Sequence, residues 1–424
     1  MPKHQVVIIG AGLSGLSAAI QLQNEGIDLK ILESSDAPGG RLRTDRIDGF
    51  LLDRGFQVLP TAYPELRQPP VDLNALQLYH FSPGACIYSD QQLHRLADPF
   101  KQPLQAFSAL FSPLTTWNDK IKVMALRNRL RRLSIAQIFE QPEVSTAQLL
   151  RDWNFSPRFI QTFLRPLLTG MLLDSQLQTS SRMAEFVLKM FAEGSMALPH
   201  NGIEALPRQL AAQLQPHTLL LQQTAVKIEN NKVKTTTGDT YEAEIIIVAT
   251  GADQARQLLG DSFVRVKSAH TAKCLYFSTD KAPIDDSVLL LNGNTDGLVN
   301  HICIPSLVNP NYAPVDRHLV SVSVVKDTGN MDDNTLQNVV KKELRAWFKK
   351  EVRYWEHLKT YHLANALPAM PQIRIPEKQH IQPVLPNIYT CGDYTHSPSI
   401  NAALESGRYT AHAVSWHLAL NRKK

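Results

Sequence analysis

Val6-Val-Ile-Ile-Gly-Ala-Gly-Leu-Ser-Gly-Leu-Ser-Ala-Ala19 decides the fold of this 424-residue chain, because it carries a buried strand, a glycine turn and a helix start in that order. Val6 to Ile9 form an unbroken β-branched run, the pattern of a central parallel strand covered on both faces. Gly10, Gly12 and Gly15 follow as G-x-G-x-x-G. The first permits the tight turn, the second lets a pyrophosphate approach the backbone, and the third lets helix and strand pack closely. Leu13 and Ser14 then offer the unpaired amides of a helix N-terminus to the phosphates.

The glycine motif alone is a weak signal, so its context matters. A second apolar strand, Leu29-Lys-Ile-Leu32, ends at Glu33, twenty-three residues after Gly10. An acid at that spacing accepts the hydroxyls of an adenosine ribose. Next come Pro38-Gly-Gly-Arg-Leu-Arg-Thr44 and Phe50-Leu-Leu-Asp-Arg-Gly-Phe-Gln-Val58. Gly39 and Gly40 admit close backbone approach, and Arg41 and Arg43 can place guanidinium donors near a pyrophosphate. A bare dehydrogenase domain has no need of this second glycine pair.

Composition excludes several classes. The chain is 43% hydrophobic and 20% charged, ordinary for a globular protein with mass for two or three domains. Its net charge of +5, from 44 basic and 39 acidic residues, is too small for a nucleic-acid binder. A strand begins almost at the first residue and no apolar run is long enough to span a bilayer, so a cytoplasmic location is expected. Cys86, Cys274, Cys303 and Cys391 are scattered without C-x-x-C, which fits buried small hydrophobes. The 14 histidines, with His200, His301, His380 and His396 near site segments, show no metal-ligand spacing. Structural roles are expected for them, and no metal.

The glycine fingerprint, Glu33, the G-G-R-x-R-T segment and Asp53-Arg-Gly together resemble the N-terminus of the flavin-containing amine oxidase superfamily, which includes phytoene desaturases and protoporphyrinogen oxidases. The resemblance implies FAD. Three further stretches carry it. Ala197-Leu-Pro-His-Asn-Gly-Ile-Glu-Ala-Leu-Pro-Arg-Gln-Leu210 resembles the segment that returns the chain to the FAD domain. Ile245-Ile-Ile-Val-Ala-Thr-Gly251 reads as a buried strand ending at Thr250 and Gly251. No second G-x-G-x-x-G follows, so no separate NAD(P)H domain is expected. Asn387-Ile-Tyr-Thr-Cys-Gly-Asp-Tyr-Thr395 and Pro398-Ser-Ile-Asn-Ala-Ala-Leu-Glu-Ser-Gly-Arg408 form the last. There the resemblance implies that Gly392 and Asp393 reach the pyrophosphate and ribityl. It also implies that the helix start at Ser399, Ile400 and Asn401 faces the flavin ring, where a helix N-terminus stabilises negative charge. By the same resemblance the main chain of Val226 holds the adenine, and Lys273 contacts the reactive flavin nitrogen through a water; a strand-edge lysine in solvent is the alternative.

The fold expected is α/β: a Rossmann-like FAD-binding domain from residues 1–62, 195–263 and 375–424, and a mixed α+β substrate domain from 63–194 and 264–374, both discontinuous. Prolines between residues 63 and 113 suggest turns and short pieces. Helical patterns cover Asp119–Arg132, Phe159–Leu173 and Ser181–Phe191. The basic face of the first is read as solvated surface, with a peripheral membrane contact as the alternative. Strands are expected at Lys273–Ser278, Ser287–Leu291 and Leu319–Val325, and a helix at Leu336–Lys350.

One departure bears on activity. Amine oxidases flank the flavin with two aromatic rings; here one position is Ser399, and Leu363-Ala-Asn-Ala-Leu-Pro368 holds no aromatic, with Tyr361 a displaced substitute. The expected reaction is hydride abstraction from an apolar or planar small molecule, in the manner of a desaturase or porphyrinogen oxidase. An amine oxidase using Lys273, and an FAD-binding isomerase or non-catalytic flavin module, are the alternatives. Oligomeric state is not legible.

Overall fold

The computed structural model describes residues 3–97, 113–261, 266, 268–294, 296–373 and 381–422. The strand Lys3–Ile9 lies at the centre of a seven-stranded sheet. Leu29–Leu32 and Thr240–Val248 pair with it in parallel on either side. Leu219–Leu220 and Ile388–Thr390 extend that parallel core. The hairpin Ala225–Glu229 and Lys232–Thr235 adds to Thr240–Val248 antiparallel. Val6, Val7 and Ile8 are fully buried, as their unbroken apolar run requires.

Two helices cross above this sheet. Leu13–Asn24 leaves the glycine turn, and Ile400–Asn421 follows the C-terminal strand. They approach at Gly407, where a Cβ would lie 2.1 Å from the Ser14 carbonyl oxygen. Ser17 Oγ donates to the Leu404 carbonyl across the same contact at 2.8 Å. A side chain at position 407 would therefore push the two helices apart.

The second sheet is also seven-stranded, in the order Glu356–Pro368, Ala269–Thr279, His318–Val324, Val299–Cys303, Leu289–Asn292, Gly84–Ser89 and Gln92–Ala97. Every pairing in it is antiparallel except Leu289–Asn292 with Gly84–Ser89. One face carries Leu275, Phe277, Val322 and Val324 against the helix Asp333–Phe348, through Leu336, Val340 and Leu344. The opposite face carries Cys274, Tyr276 and Tyr361 toward Phe50 and Leu52. Helices between Trp117 and Glu193 complete this side.

The architecture is the expected pairing of a Rossmann-like domain with a mixed α+β domain, each assembled from separated stretches. The boundaries expected at residues 263 and 374 fall outside the described residues, as does His380. Two features depart from the sequence expectation. The proline-rich region contributes the hairpin Gly84–Ala97, which closes one end of the second sheet. At the other end Glu356–Pro368 is a thirteen-residue strand. Both owe their strand state to distant partners rather than to local pattern.

Asp53 ties the two domains together. Its carboxylate accepts from Thr44 Oγ1 at 2.6 Å, Ile203 N at 2.9 Å and Tyr312 OH at 2.8 Å. Tyr276 OH donates to the Asp53 carbonyl at 2.9 Å. Complete burial pushes the Asp53 carboxyl up to about 6 against those hydrogen bonds.

Candidate functional site

A cavity of about 1580 Å³ runs from the glycine turn to the inner face of the second sheet and the helices beside it. That exceeds the span of a typical single-ligand pocket, roughly 300–1,000 Å³, and leaves room for a dinucleotide and a second molecule. At its nucleotide end the wall includes Gly10, Gly12, Leu13, Ser14 and Glu33. Gly10 has φ +104°, and a Cβ there would meet Ala249 O at 2.8 Å. Gly12 differs: a Cβ there would meet nothing within 4 Å, so its open side faces the cavity. Gly15 is not on the wall. A Cβ there would sit 2.0 Å from Gly10 O, so this glycine serves the packing of helix on strand.

Glu33 is buried, and both its oxygens are engaged. Oε2 accepts from Ala11 N at 2.7 Å; Oε1 accepts from Ser35 N at 2.9 Å and Ser35 Oγ at 2.6 Å. Ser34 Oγ also donates to Oε1, at 3.3 Å, so Oε1 is saturated; Oε2, with a single donor, keeps capacity for a hydroxyl.

Gly39, Gly40 and Arg41 form the next stretch of wall, with Gly392 and Asp393 beside them. Arg41 Nη2 donates to Asp393 Oδ2 at 2.6 Å and Nη1 to the Ala366 carbonyl at 3.1 Å. These bonds join the glycine-pair turn, the C-terminal turn and the second sheet. Arg43 does not reach the cavity. It is buried, with Nη2 donating to Asp36 Oδ1 at 3.0 Å and Nε lying 3.7 Å from Glu204 Oε2.

Thr250, Gly251, Ser399 and Ile400 also line the cavity. Ser399 caps the helix Ile400–Asn421, its Oγ accepting from Ala402 N at 3.0 Å. The Asn401 side chain is turned elsewhere: Oδ1 accepts from Glu65 N at 3.0 Å. Val226 is off the wall and its side chain is exposed, while Gln223, Thr224 and Ala225 take that part of the cavity. A register shift between Ala225 and Lys227 leaves Val226 without a paired position in its hairpin.

Lys273 is where geometry departs most from expectation. It touches the cavity, but it pairs directly with Val324 and shares the sheet face of Leu275 and Phe277. Its Nζ reaches toward the Met331 carbonyl at 3.5 Å, on the side of the outer helix. The ammonium is thus turned away from the face that carries Cys274, Ser323 and His301. Tyr361 also misses the cavity, its OH donating to Asp45 Oδ2 at 2.7 Å.

The far end of the cavity is mainly apolar, with Asp119, Lys120 and Arg127 of the helix Trp117–Arg132 also on its wall. Phe56, Phe81, Phe155, Phe159, Phe163 and Phe191 line it with Leu164, Leu167 and Met171. Phe155, Phe159 and Phe163 form a row with ring centroids 5.4 and 5.3 Å apart. Phe155 precedes the short helix Pro157–Phe159, Phe159 ends it, and Phe163 lies on a π-helical turn, Ile160–Leu164, set before Pro166 in the helix Arg165–Leu172. Such turns widen a helix locally and recur at functional sites. Sequence patterning marked this helix but not which of its residues face the cavity. No group of three or more His, Cys, Asp or Glu able to hold a metal occurs among the described residues.

The donors and clearances at the nucleotide end fit FAD: an open glycine face, a buried acid with spare acceptor capacity, and a helix N-terminus on the wall. Comparison with known proteins agrees. The family model described as flavin containing amine oxidoreductase matches residues 13–415. An L-amino-acid oxidase of Bothrops pauloensis is 24% identical over 98% of this chain and 89% of its own length. A zeta-carotene-forming phytoene desaturase of Myxococcus xanthus is 36% identical over 64 residues, 15% of this chain and 12% of that protein. Among solved structures, one provisionally described as a protoporphyrinogen oxidase from Exiguobacterium sp. superposes with a TM-score of 0.71 at 19% identity, covering 98% of this chain and 100% of that one.

Proposed function

The chain belongs to the flavin-containing amine oxidoreductase family and is an FAD-dependent oxidoreductase; from that premise we propose that it abstracts hydride from an apolar or planar small molecule. The observation that carries this reading is the phenylalanine-rich end of the cavity. Bound FAD supplies the hydride acceptor. The chain's own work is then to hold the cofactor, exclude water and press a carbon centre against it. Assigned to cofactor binding are Gly10, Gly12, Leu13, Ser14 and Glu33, with Gly39, Gly40 and Arg41, then Thr250, Gly251, Gly392, Asp393, Ser399 and Ile400. Residues 1–62, 195–263 and 375–424 are assigned to the FAD domain and the rest to the substrate domain.

The relatives' names divide between amine and amino-acid oxidases, a putrescine oxidase among them, and a phytoene desaturase and a protoporphyrinogen oxidase. Two features of this chain favour the second group. No aromatic from Leu363–Pro368 stands at the cavity, and the Lys273 ammonium faces the outer helix. Substituting Phe163→Asp in the FAD-loaded protein tests the apolar subsite. A charge in that row should weaken binding of the apolar dye Nile red by about tenfold or more, with FAD content unchanged. Unaltered dye affinity would contradict the reading.

The helix Trp117–Arg132 supports a peripheral membrane contact as the route for such a substrate. Trp117 and Ile121 are 65% and 63% exposed, with Lys120 over the Trp117 ring at 4.7 Å and Arg131 and Arg132 at the far end of the helix, while Val123 and Leu126 line the cavity. An apolar strip flanked by cations suits an anionic lipid surface. No helix among the described residues is long and apolar enough to cross a membrane.

A further inference from the structure

The edge strand Glu356–Pro368 does not run evenly along its neighbour Ala269–Thr279. Ala272 pairs with Leu363 and His270 with Leu367, so Ala364, Asn365 and Ala366 stand opposite Thr271 alone. A bulge of this kind re-aims side chains. Here it divides them between two hollows. Thr271 and Ala364 line a small outer hollow with Lys273 and His362, on the side where His362 meets Asp333 of the outer helix. Asn365 lines the main cavity and not the outer hollow; Leu363 and Leu367, on either side of it, line the cavity too. Asn365 is exposed, and its carboxamide makes no hydrogen bond to another described residue.

Both ends of the bulge are held. Leu363 packs on Gly55, where a Cβ would come within 2.5 Å of Leu363 Cδ1, and Gly55 is itself on the cavity wall. Ala366 has no partner in the neighbouring strand. Its carbonyl accepts instead from Arg41 Nη1 at 3.1 Å, while Nη2 of the same guanidinium donates to Asp393 Oδ2 at 2.6 Å. Asn365 therefore stands one residue from the clamp assigned to the cofactor, flanked by leucines. The charges of that clamp are spent on each other. An ammonium or a carboxylate brought to this point finds no free counter-charge in the clamp, so a neutral polar group is what the carboxamide suits.

We propose that Asn365 is a specificity-determining residue whose Nδ2–H donates to a neutral oxygen of the substrate, so that the substrate is an apolar body carrying a carbonyl or hydroxyl oxygen at the end nearest the Arg41–Asp393 pair. This rests on the apolar reading of the cavity and narrows it. Hydrophobic walls select for bulk and shape; one carboxamide beside the clamp selects which end of the molecule approaches the cofactor.

The test uses the FAD-loaded protein and two probes of similar shape, benzophenone and diphenylmethane, with binding read from the perturbed flavin absorbance. The ketone should bind about tenfold more tightly than the hydrocarbon, the factor one net hydrogen bond supplies. Asn365→Leu should abolish that preference. Asn365→Asp keeps the shape but replaces the donor with a second acceptor, so it should abolish the preference as well, which a merely structural role would not do. In both variants the Kd for FAD should stay within about twofold of the parent's. A preference that survives in either variant overturns the proposal. So does a preference lost together with a tenfold weaker hold on FAD, which would assign Asn365 to the cofactor. Diphenylmethane binding with no preference in the parent defeats the role of Asn365 and leaves the apolar reading standing; failure of both probes to bind defeats both.

Discussion

Gly12 and Gly15 stand in the same motif and predict opposite phenotypes. A Cβ at Gly12 meets no protein atom, whereas one at Gly15 would collide with the Gly10 carbonyl at 2.0 Å. Gly12→Ala should therefore leave urea stability within about 0.5 kcal/mol of the parent while weakening FAD binding by about tenfold or more. Gly15→Ala should cost about 3 kcal/mol of stability. Equal stability loss in both variants would contradict this division. Asp53 makes a second prediction at this scale. Its folded pKa of about 6 lies above the ordinary 3.8. The folded chain then binds more protons than the unfolded chain between about pH 4 and 6, so its contribution to stability is present below that window and lost as pH rises through it. Asp53→Asn should remove up to about 3 kcal/mol of that decline, read from urea midpoints across the window. A variant whose pH profile parallels the parent's would contradict the assignment. The glycines and Glu33 were legible in the sequence because a turn motif is local. Lys273 was not, because direction along a strand is a matter of parity. Both faces of Ala269–Thr279 are buried, and only the contacts of Tyr276 with Asp53 reveal which face looks inward.

Among elements, the crossing of Leu13–Asn24 with Ile400–Asn421 carries most of the cofactor end. It sets the glycine turn and the Ser399 helix start in one frame. Gly407→Ala inserts a Cβ 2.1 Å from the Ser14 carbonyl and should cost about 1–3 kcal/mol of stability. FAD affinity should fall with it, because the Ser14 end of one helix and the Ser399 end of the other move apart. Retained affinity at reduced stability would show that the two ends are positioned independently. The sequence marked both helices, since each follows an apolar strand and a turn. It missed the hairpin Gly84–Ala97 and the full length of Glu356–Pro368, whose pairing partners lie far away along the chain. The phenylalanine row shows the same limit. Its helix is periodic, yet the π-helical turn Ile160–Leu164 that carries Phe163 leaves no mark in the pattern.

At the scale of the molecule, a cavity lies between the two seven-stranded sheets, with glycines, Glu33 and Arg41 on the wall at one end and phenylalanines at the other. FAD was legible because the family's motifs are short and lie at both ends of the chain. The substrate was not, because its walls come from separated stretches that meet only on folding. FAD at about 100 times its Kd should raise stability by about 2.7 kcal/mol, measured as a shift in urea midpoint; no shift would contradict cofactor binding by the native state. Lys273→Met should change the rate of flavin reduction by no more than about twofold, since the ammonium faces the outer helix. The most direct measurement of the proposed reaction is anaerobic mixing of the FAD-loaded protein with two donor sets, one of polyenes and reduced tetrapyrroles and one of primary amines and L-amino acids. Bleaching of the oxidised flavin band by a member of the first set alone is the expected result; bleaching by amines or amino acids, with none from the apolar set, would contradict it.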